Sequence, residues 1–344
     1  MTNHASSIPN NDTDTVRPRL PLGALDYQVP PVAGRLPYFL GGLTLTAFVL
    51  LGLTGLLLTQ LYSPGPLDAH ASVQYTMTQV PLGGWLRSLH AWSAWLMAFA
   101  VTAHLAWIIW RGSYRRPREL TYYTGLVSLA TVFLLYFTGT TLPNDQAGAE
   151  ALAHAVTAAE MTSPAGAPLT PGFSAVPLLT RLYALHVAVL PLRLVILVAA
   201  HLWLIRHLEI STWPGEARGG AIFRQHLWRL GATASWMAAL TCLLAWLLPA
   251  ELGYPAVAGA EVTKPPFFFL WIYALENWFG SAALVAGPAA AAVVLLALPW
   301  IDRAPSPRAT ERPLAVGLGL GALAILLTLA LIAYLAPAQQ HLMN

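Results

Sequence analysis

Seven stretches of the chain stay apolar over eighteen or more residues, with polar or basic segments between them. They are Tyr38–Leu61, Gly84–Trp110, Tyr122–Thr141, Leu182–Ile205, Leu230–Leu248, Ala282–Trp300 and Leu314–Ala336. Runs of that length predict helices that cross a bilayer. The expected fold is therefore an all-α integral membrane protein with seven transmembrane helices. A polar, basic stretch follows the fourth span and divides the chain. We read an N-terminal arm (1–36), a four-helix part (37–210), a linker (211–229) and a three-helix part (230–344). The loops after the third and fifth spans are long, and loops of that length usually carry function.

The connecting segments alternate in basic charge. Arg17, Arg19 and Arg35 precede the first span, and Arg111, Arg115, Arg116 and Arg118 follow the second. Arg206, Arg218, Arg224 and Arg229 follow the fourth, and Arg303, Arg308 and Arg312 the sixth. The opposite segments hold almost none. The positive-inside rule then puts the N-terminus in the cytoplasm and the C-terminus outside, across the cell's inner (plasma) membrane. Residues 1–20 are polar and carry no signal-peptide pattern, so a flexible arm is expected there.

Composition agrees: hydrophobic residues make up 56% and charged residues 10%, against about 25% charged in an ordinary soluble domain. That excludes disorder and a nucleic-acid partner. The single cysteine, Cys242, excludes an internal disulfide or a cysteine-based metal cluster.

Ten histidines occur. His4, His70, His154, His207, His226 and His341 fall in tails, loops or span edges and read as solvated side chains. The other four lie within spans, where an ionisable residue is a functional candidate. His90 and His104 share the second span, fourteen residues apart; His186 and His201 share the fourth, fifteen apart. At about 1.5 Å per residue each pair spans roughly 21–22 Å. Both spacings return near one helix face. The two spans run in the same direction, so His90 should stand level with His186 near the outer side, and His104 with His201 near the inner side. Pro191 offers a local kink to absorb the extra residue. No Asp, Glu or Cys joins the quartet within the core. Zinc wants four ligands, whereas a haem needs only two axial ones. Two bis-histidine haems use every member. The spans without histidine carry Gly41 and Gly55, and Gly125 and Gly139, each pair again fourteen apart. Glycine lets backbone approach a macrocycle; small-residue packing between membrane helices is the alternative.

These residues resemble the cytochrome b family of the bc1 and b6f complexes. Ala71-Ser72-Val73-Gln74-Tyr75, Arg87-Ser88-Leu89-His90, Pro117-Arg118-Glu119-Leu120-Thr121, Leu185-His186 and Leu190-Pro191-Leu192 look like cytochrome b6. The similarity is strong over 29–210. Residues 230–336 resemble subunit IV, here fused to the first half. The resemblance implies the electron-transfer subunit of a quinol-oxidising complex, a quinol:cytochrome c or related oxidoreductase. Electrons would cross between an outer quinol site and an inner quinone site through two non-covalent b haems. His90 and His186 would hold the outer haem iron, and His104 and His201 the inner. Arg87 would pair with an outer haem propionate, or snorkel at the interface. Arg206 would serve the inner haem or a quinone, or anchor the span. Partners would be a Rieske iron–sulfur protein or a c-type cytochrome, quinone, membrane lipid and a second copy of the chain.

Departures from the family pattern matter. Pro265-Pro266-Phe267-Phe268 stands where the family has Pro-Glu-Trp-Tyr, so the glutamate thought to accept a quinol proton is gone. Leu142-Pro143-Asn144-Asp145-Gln146 stands for Leu-Pro-Trp-Asp-Gln. Phe39 occupies the position of the cysteine that tethers an extra haem c, so no covalent haem is expected. Trp107 replaces an arginine. Arg193 sits mid-span between the histidine levels, where a charge is costly. Among the outer-side carboxylates Asp145, Glu150, Glu160, Glu251, Glu261 and Glu276, Glu276 is the first candidate proton acceptor and Asp145 the second. Glu276 follows aromatic residues that would wall a quinone pocket or form an interfacial belt. The lost glutamate also keeps open a transmembrane haem relay that links the quinone pool to a periplasmic cytochrome or reductase, without an outer quinol site.

Overall fold

The structure is a computed structural model that describes residues 27–341; His4, Arg17 and Arg19 lie outside the described residues. Helices α1 (Leu40–Leu58), α2 (Ala69–Gln79), α3 (Gly83–Arg111), α4 (Glu119–Thr141) and α5 (Gln146–Met161) are followed by α6 (Leu178–Ala184) and α7 (Leu190–Leu208). Then come α8 (Phe223–Leu247), α9 (Leu270–Phe279), α10 (Ala283–Ile301) and α11 (Pro313–Leu335). Among the described residues, seven helical stretches are long and apolar enough to cross a membrane: α1 with its 3₁₀ lead-in, α3, α4, α6–α7 as one rod, α8, α10 and α11. They coincide with the seven apolar runs. The fifth starts at Phe223 rather than Leu230, because a polar helical turn with Arg224 and His226 precedes the apolar part. A two-residue antiparallel ladder, β1 (Gln28–Val29) with β2 (Ala221–Ile222), ties the N-terminal arm to the segment before α8.

Helices α1 and α3 pack along each other, as do α4 and α7. The two pairs meet at mid-height in a cluster of Ala47, Met97, Val132 and Leu194, one residue from each helix. Met97 lies seven residues from both His90 and His104, and Val132 seven from both Gly125 and Gly139. The cluster is thus a plug halfway between the two histidine levels. We call the level of His90 and His186 upper, and that of His104 and His201 lower. The extra residue between His186 and His201 is taken up in a π-helical turn, Leu185–Val189, directly before Leu190-Pro191. Such a turn inserts one residue into an α-helix. Fifteen residues therefore do the work of fourteen.

Arg193 is exposed on the outer face of α7, beside Leu192, Val195 and Ile196. It points away from the bundle interior, and no described residue pairs with it.

The second half packs on the first through α8 against α1 and α3, and α11 against α3. A buried polar knot holds the second contact at the lower end. Arg312 is fully buried and donates to Asp302 (3.1 Å), to the Tyr114 hydroxyl (3.0 Å) and to the carbonyls of Ile109 and Trp110. Tyr114 donates to Asp302 at 2.7 Å. Helix α3 ends there on Gly112 at φ +68°, a left-handed conformation that favours glycine. A Cβ at that position would stand 2.9 Å from the Arg312 guanidinium carbon. Turn conformation and close approach both demand glycine at this position.

Removing one partner of a buried ion pair strands the other charge. Asp302→Asn is expected to destabilise the detergent-solubilised protein by about 3 kcal/mol, read as a lowered thermal unfolding midpoint. Arg303→Gln, outside the knot, should leave the midpoint unchanged.

Candidate functional site

The four intramembrane histidines are placed by two pairs of rods, and each faces one of the four glycines. A Cβ on Gly55 would lie 3.2 Å from His90 Cε1, on Gly139 3.0 Å from His186 Cε1, on Gly41 3.3 Å from His104 Cε1, and on Gly125 3.2 Å from His201 Cε1. The glycines therefore let helix backbone press against imidazole. Generic small-residue packing between helices does not describe them.

The residue before three of these glycines is threonine. In a helix its hydroxyl donates back to the carbonyl one turn earlier, which leaves a lone pair to accept. Thr54 donates to Leu50 (2.7 Å) and lies 2.8 Å from His90 Nδ1. Thr138 donates to Leu134 (2.8 Å) and lies 2.9 Å from His186 Nδ1. Thr124 donates to Thr121 (2.9 Å) and lies 3.2 Å from His201 Nδ1. With its proton committed, each threonine accepts from Nδ1–H, and this assigns the tautomer in which Nε2 is a free ligand. Leu40 precedes Gly41 and has no hydroxyl, and His104 Nδ1 has no hydrogen-bond partner among the described residues.

At the upper level the His90 and His186 ring centroids stand 6.4 Å apart. Two imidazole–metal bonds of about 2 Å each, extended to the ring centres, come to roughly 6 Å. The gap suits one metal ion between the two rings.

The segment before α9 flanks this bundle. Phe268 lies against Trp95, Phe99, Phe133 and Tyr136, with ring centroids 4.8–6.2 Å apart. Phe269 meets Tyr136 and Phe137. Trp278 and Phe279, at the end of the aromatic stretch, are exposed. The first half of the stretch packs on the bundle as an aromatic wall, and the second half lies at the surface.

The candidate carboxylates divide sharply. Asp145 caps α5, accepting from Gly148 N at 2.9 Å and Gly253 N at 3.0 Å. Glu150 is buried and accepts from the backbone of Val262 and Thr263. Both tie α5 to the segment after α8. Glu160 and Glu251 are exposed. Glu276 is buried on α9, with its carboxylate 3.1 Å from His154 Nδ1. Arg87 donates to the carbonyls of Ala250 (2.7 Å) and Glu251 (3.0 Å). The Arg206 guanidinium lies over the Tyr27 ring at 3.9 Å.

Four of the loop and edge histidines are not the solvated side chains their positions suggested. His154 and His341 are engaged by buried carboxylates. His70 binds the Gly253 carbonyl, and His226 the Ala33 carbonyl beside the Phe223 ring. Burial pulls the His154 pKa down, but hydrogen bonds and charge from Glu276 and Glu261 outweigh it and leave it raised. At the lower end, buried Arg111 pairs with half-buried Glu216 at 2.6 Å and stacks on Trp213 at 4.2 Å. Its hydrogen bond holds Glu216 below the usual carboxylate range. Reading the sequence missed the pairings of Arg111, Glu216, His154 and His341, since their partners come from distant segments. The threonines had a readable signal, their place directly before the glycines.

Comparison with known proteins decides the family. The model for cytochrome b/b6/petB matches residues 25–209. The chain belongs to the cytochrome b family. It is 34% identical over 320 residues to a cytochrome bc complex cytochrome b subunit of Chlorobaculum thiosulfatiphilum, covering 87% of this chain and 74% of that one. It is 38% identical over 179 residues to cytochrome b6 of Tupiella akineta, covering 51% of this chain and 83% of the relative. Its fold matches a solved chain of a hyperthermophilic respiratory Complex III, with TM-score 0.77, 25% identity, and coverage of 92% of this chain and 88% of that chain. This cytochrome b is an integral membrane electron-transport protein that binds b-type haem.

Orienting partners of a metal-bound histidine are worth about 10–100-fold in metal affinity. Thr138→Val is therefore expected to lower haem retention through detergent purification, measured as haem absorbance per protein. Thr140→Val, whose hydroxyl bonds only to its own helix, should retain haem fully.

Proposed function

We propose that this cytochrome b is the di-haem subunit of a quinol-oxidising bc-type complex. His90 and His186 would hold one b haem and His104 and His201 a second. The observation that carries this reading is the 6.4 Å separation of two glycine-backed imidazoles. The four-helix part, 37–210, holds the haems, and the three-helix part, 230–344, walls a quinol pocket at the upper end. The upper end faces the periplasm, with the N-terminus in the cytoplasm of a plasma-membrane protein. Each haem, when bound, serves as a one-electron carrier. The protein's part is to align the two acceptors across the bilayer, exclude water from their edges and take up quinol protons.

Proton uptake at the upper end falls to Glu276. Its carboxylate is buried, lies on the helix that follows the aromatic wall and touches a histidine that leads away from it. Asp145 is the second candidate, but its oxygens are already engaged as a helix cap. Arg87 keeps further donors for a propionate, Arg206 stands at the lower end for the inner haem or a quinone, and Phe39 offers no thiol for a covalent haem. The first electron leaves to a Rieske-type protein or c-type cytochrome. Exposed Arg193 at mid-span favours a protein chain over that face of α7, and a second copy of this subunit fits that role. One observation favours the narrower reading, a haem relay without its own outer site: Pro266 replaces the family's glutamate.

The test is quinol-driven reduction of haem b in membranes. Glu276→Gln is expected to slow it roughly a hundredfold without loss of haem, and outer-site inhibitors should block it. Full-rate reduction in Glu276→Gln and in variants at Phe267 and Phe268 would support the relay and remove the outer-site assignment.

A further inference from the structure

Outside the haem bundle, four segments far apart in sequence converge on one cluster at the upper end. His154 comes from α5, Glu261 from the stretch after α8, Glu276 and Asn277 from α9, and His341 from the end of the described chain. Glu261 Oε1 lies 3.1 Å from His154 Nε2 and 3.1 Å from His341 Nδ1. The three donor atoms all fall within 4.8 Å of one another. The ligands of a tetrahedral zinc, each about 2.0–2.1 Å from the metal, stand roughly 3.3 Å apart, so the two 3.1 Å edges that meet at Glu261 Oε1 match edges of such a polyhedron.

The remaining atom of each side chain is occupied in the way a metal site requires. Metal-bound histidines give their other ring N–H to an oxygen, which fixes tautomer and ring direction. His154 Nδ1 lies 3.1 Å from Glu276 Oε1, and His341 Nε2 lies 2.7 Å from Asn277 Oδ1. The two orienting groups are neighbours on one helix. Glu261 Oε2 accepts the His341 backbone N–H at 2.6 Å, which leaves Oε1 as the ligand atom. The carboxylates of Glu261 and Glu276 are almost wholly buried, at 1% and 2% side-chain exposure. A dication supplies the charge that two buried carboxylates call for.

We propose that His154 Nε2, His341 Nδ1 and Glu261 Oε1 form a divalent metal site of the zinc class, with Glu276 and Asn277 as its orienting groups and water in the fourth position. Two imidazoles and one carboxylate with a water are a ligand set that zinc takes. The metal pins the C-terminal tail to α5 and to the stretch before α9. This site does not rest on the quinol reading, because none of its three ligands is a haem ligand and it needs no substrate; Glu276, placed at proton uptake above, enters it only as an orienting group.

The test uses zinc itself on the full-length, haem-loaded chain in detergent after chelator treatment. Zinc titration against a competing dye should give about one tight site per chain. His154→Ala, His341→Ala and Glu261→Gln should each abolish it, and Asn277→Ala should weaken it roughly tenfold. An unchanged haem spectrum checks that each variant is folded. Zinc-edge X-ray absorption of the unaltered chain should show two imidazoles and oxygen at about 2.0–2.2 Å. Far less than one zinc per chain, affinity unchanged by His341→Ala, or an all-oxygen zinc shell would each overturn the proposal. Those results would leave the haem and quinol assignments untouched, since these are read from haem content and quinol-driven reduction.

Discussion

Helix backbone pressed against imidazole is the contact on which this molecule is organised. At four places a glycine on α1 or α4 stands behind a histidine of α3 or of the α6–α7 rod, so close that any Cβ would fall 3.0–3.3 Å from the ring. That approach sets the helix spacing within each pair. The plug of Ala47, Met97, Val132 and Leu194 then sets the spacing between pairs and divides the interior into two levels. Three threonines complete the arrangement by fixing which ring nitrogen faces inward. The lower level is less symmetric than the upper, because Leu40 stands where a fourth threonine would.

Much of this was legible in the sequence because membrane helices obey simple arithmetic. A span must be apolar over its length, and a fourteen-residue step returns to the same face, so His90, His104, Gly41, Gly55, Gly125 and Gly139 announced their geometry. His186 and His201 broke the interval by one residue. Pro191 hinted at the remedy, but the π-turn that absorbs the residue depends on backbone hydrogen bonds that no residue type specifies. The boundary at Leu230 was misplaced because hydropathy registers where a helix becomes apolar, not where it begins.

Outside the bilayer the sequence said much less. Asp145, Glu150 and Glu276 look alike as loop carboxylates, yet one caps a helix, one binds two backbone amides, and one is buried against a histidine. Their roles come from contacts across a hundred residues or more, such as Asp145 to Gly253 and Glu150 to Val262. The same holds for the Arg312–Asp302–Tyr114 knot, which joins the two halves at the lower end. These polar ties keep the three-helix part, with its aromatic wall, against the histidine-bearing bundle. The wall presents Phe268 to α3 and α4 as one continuous apolar surface.

Haem content per chain tests the central claim most directly, measured as pyridine haemochrome on the purified protein and on Gly139→Leu. The account predicts about two haems per unaltered chain and about one in the variant, because a leucine side chain fills the space against His186 and leaves the lower level intact. A single haem in the unaltered chain, or two in Gly139→Leu, would contradict it.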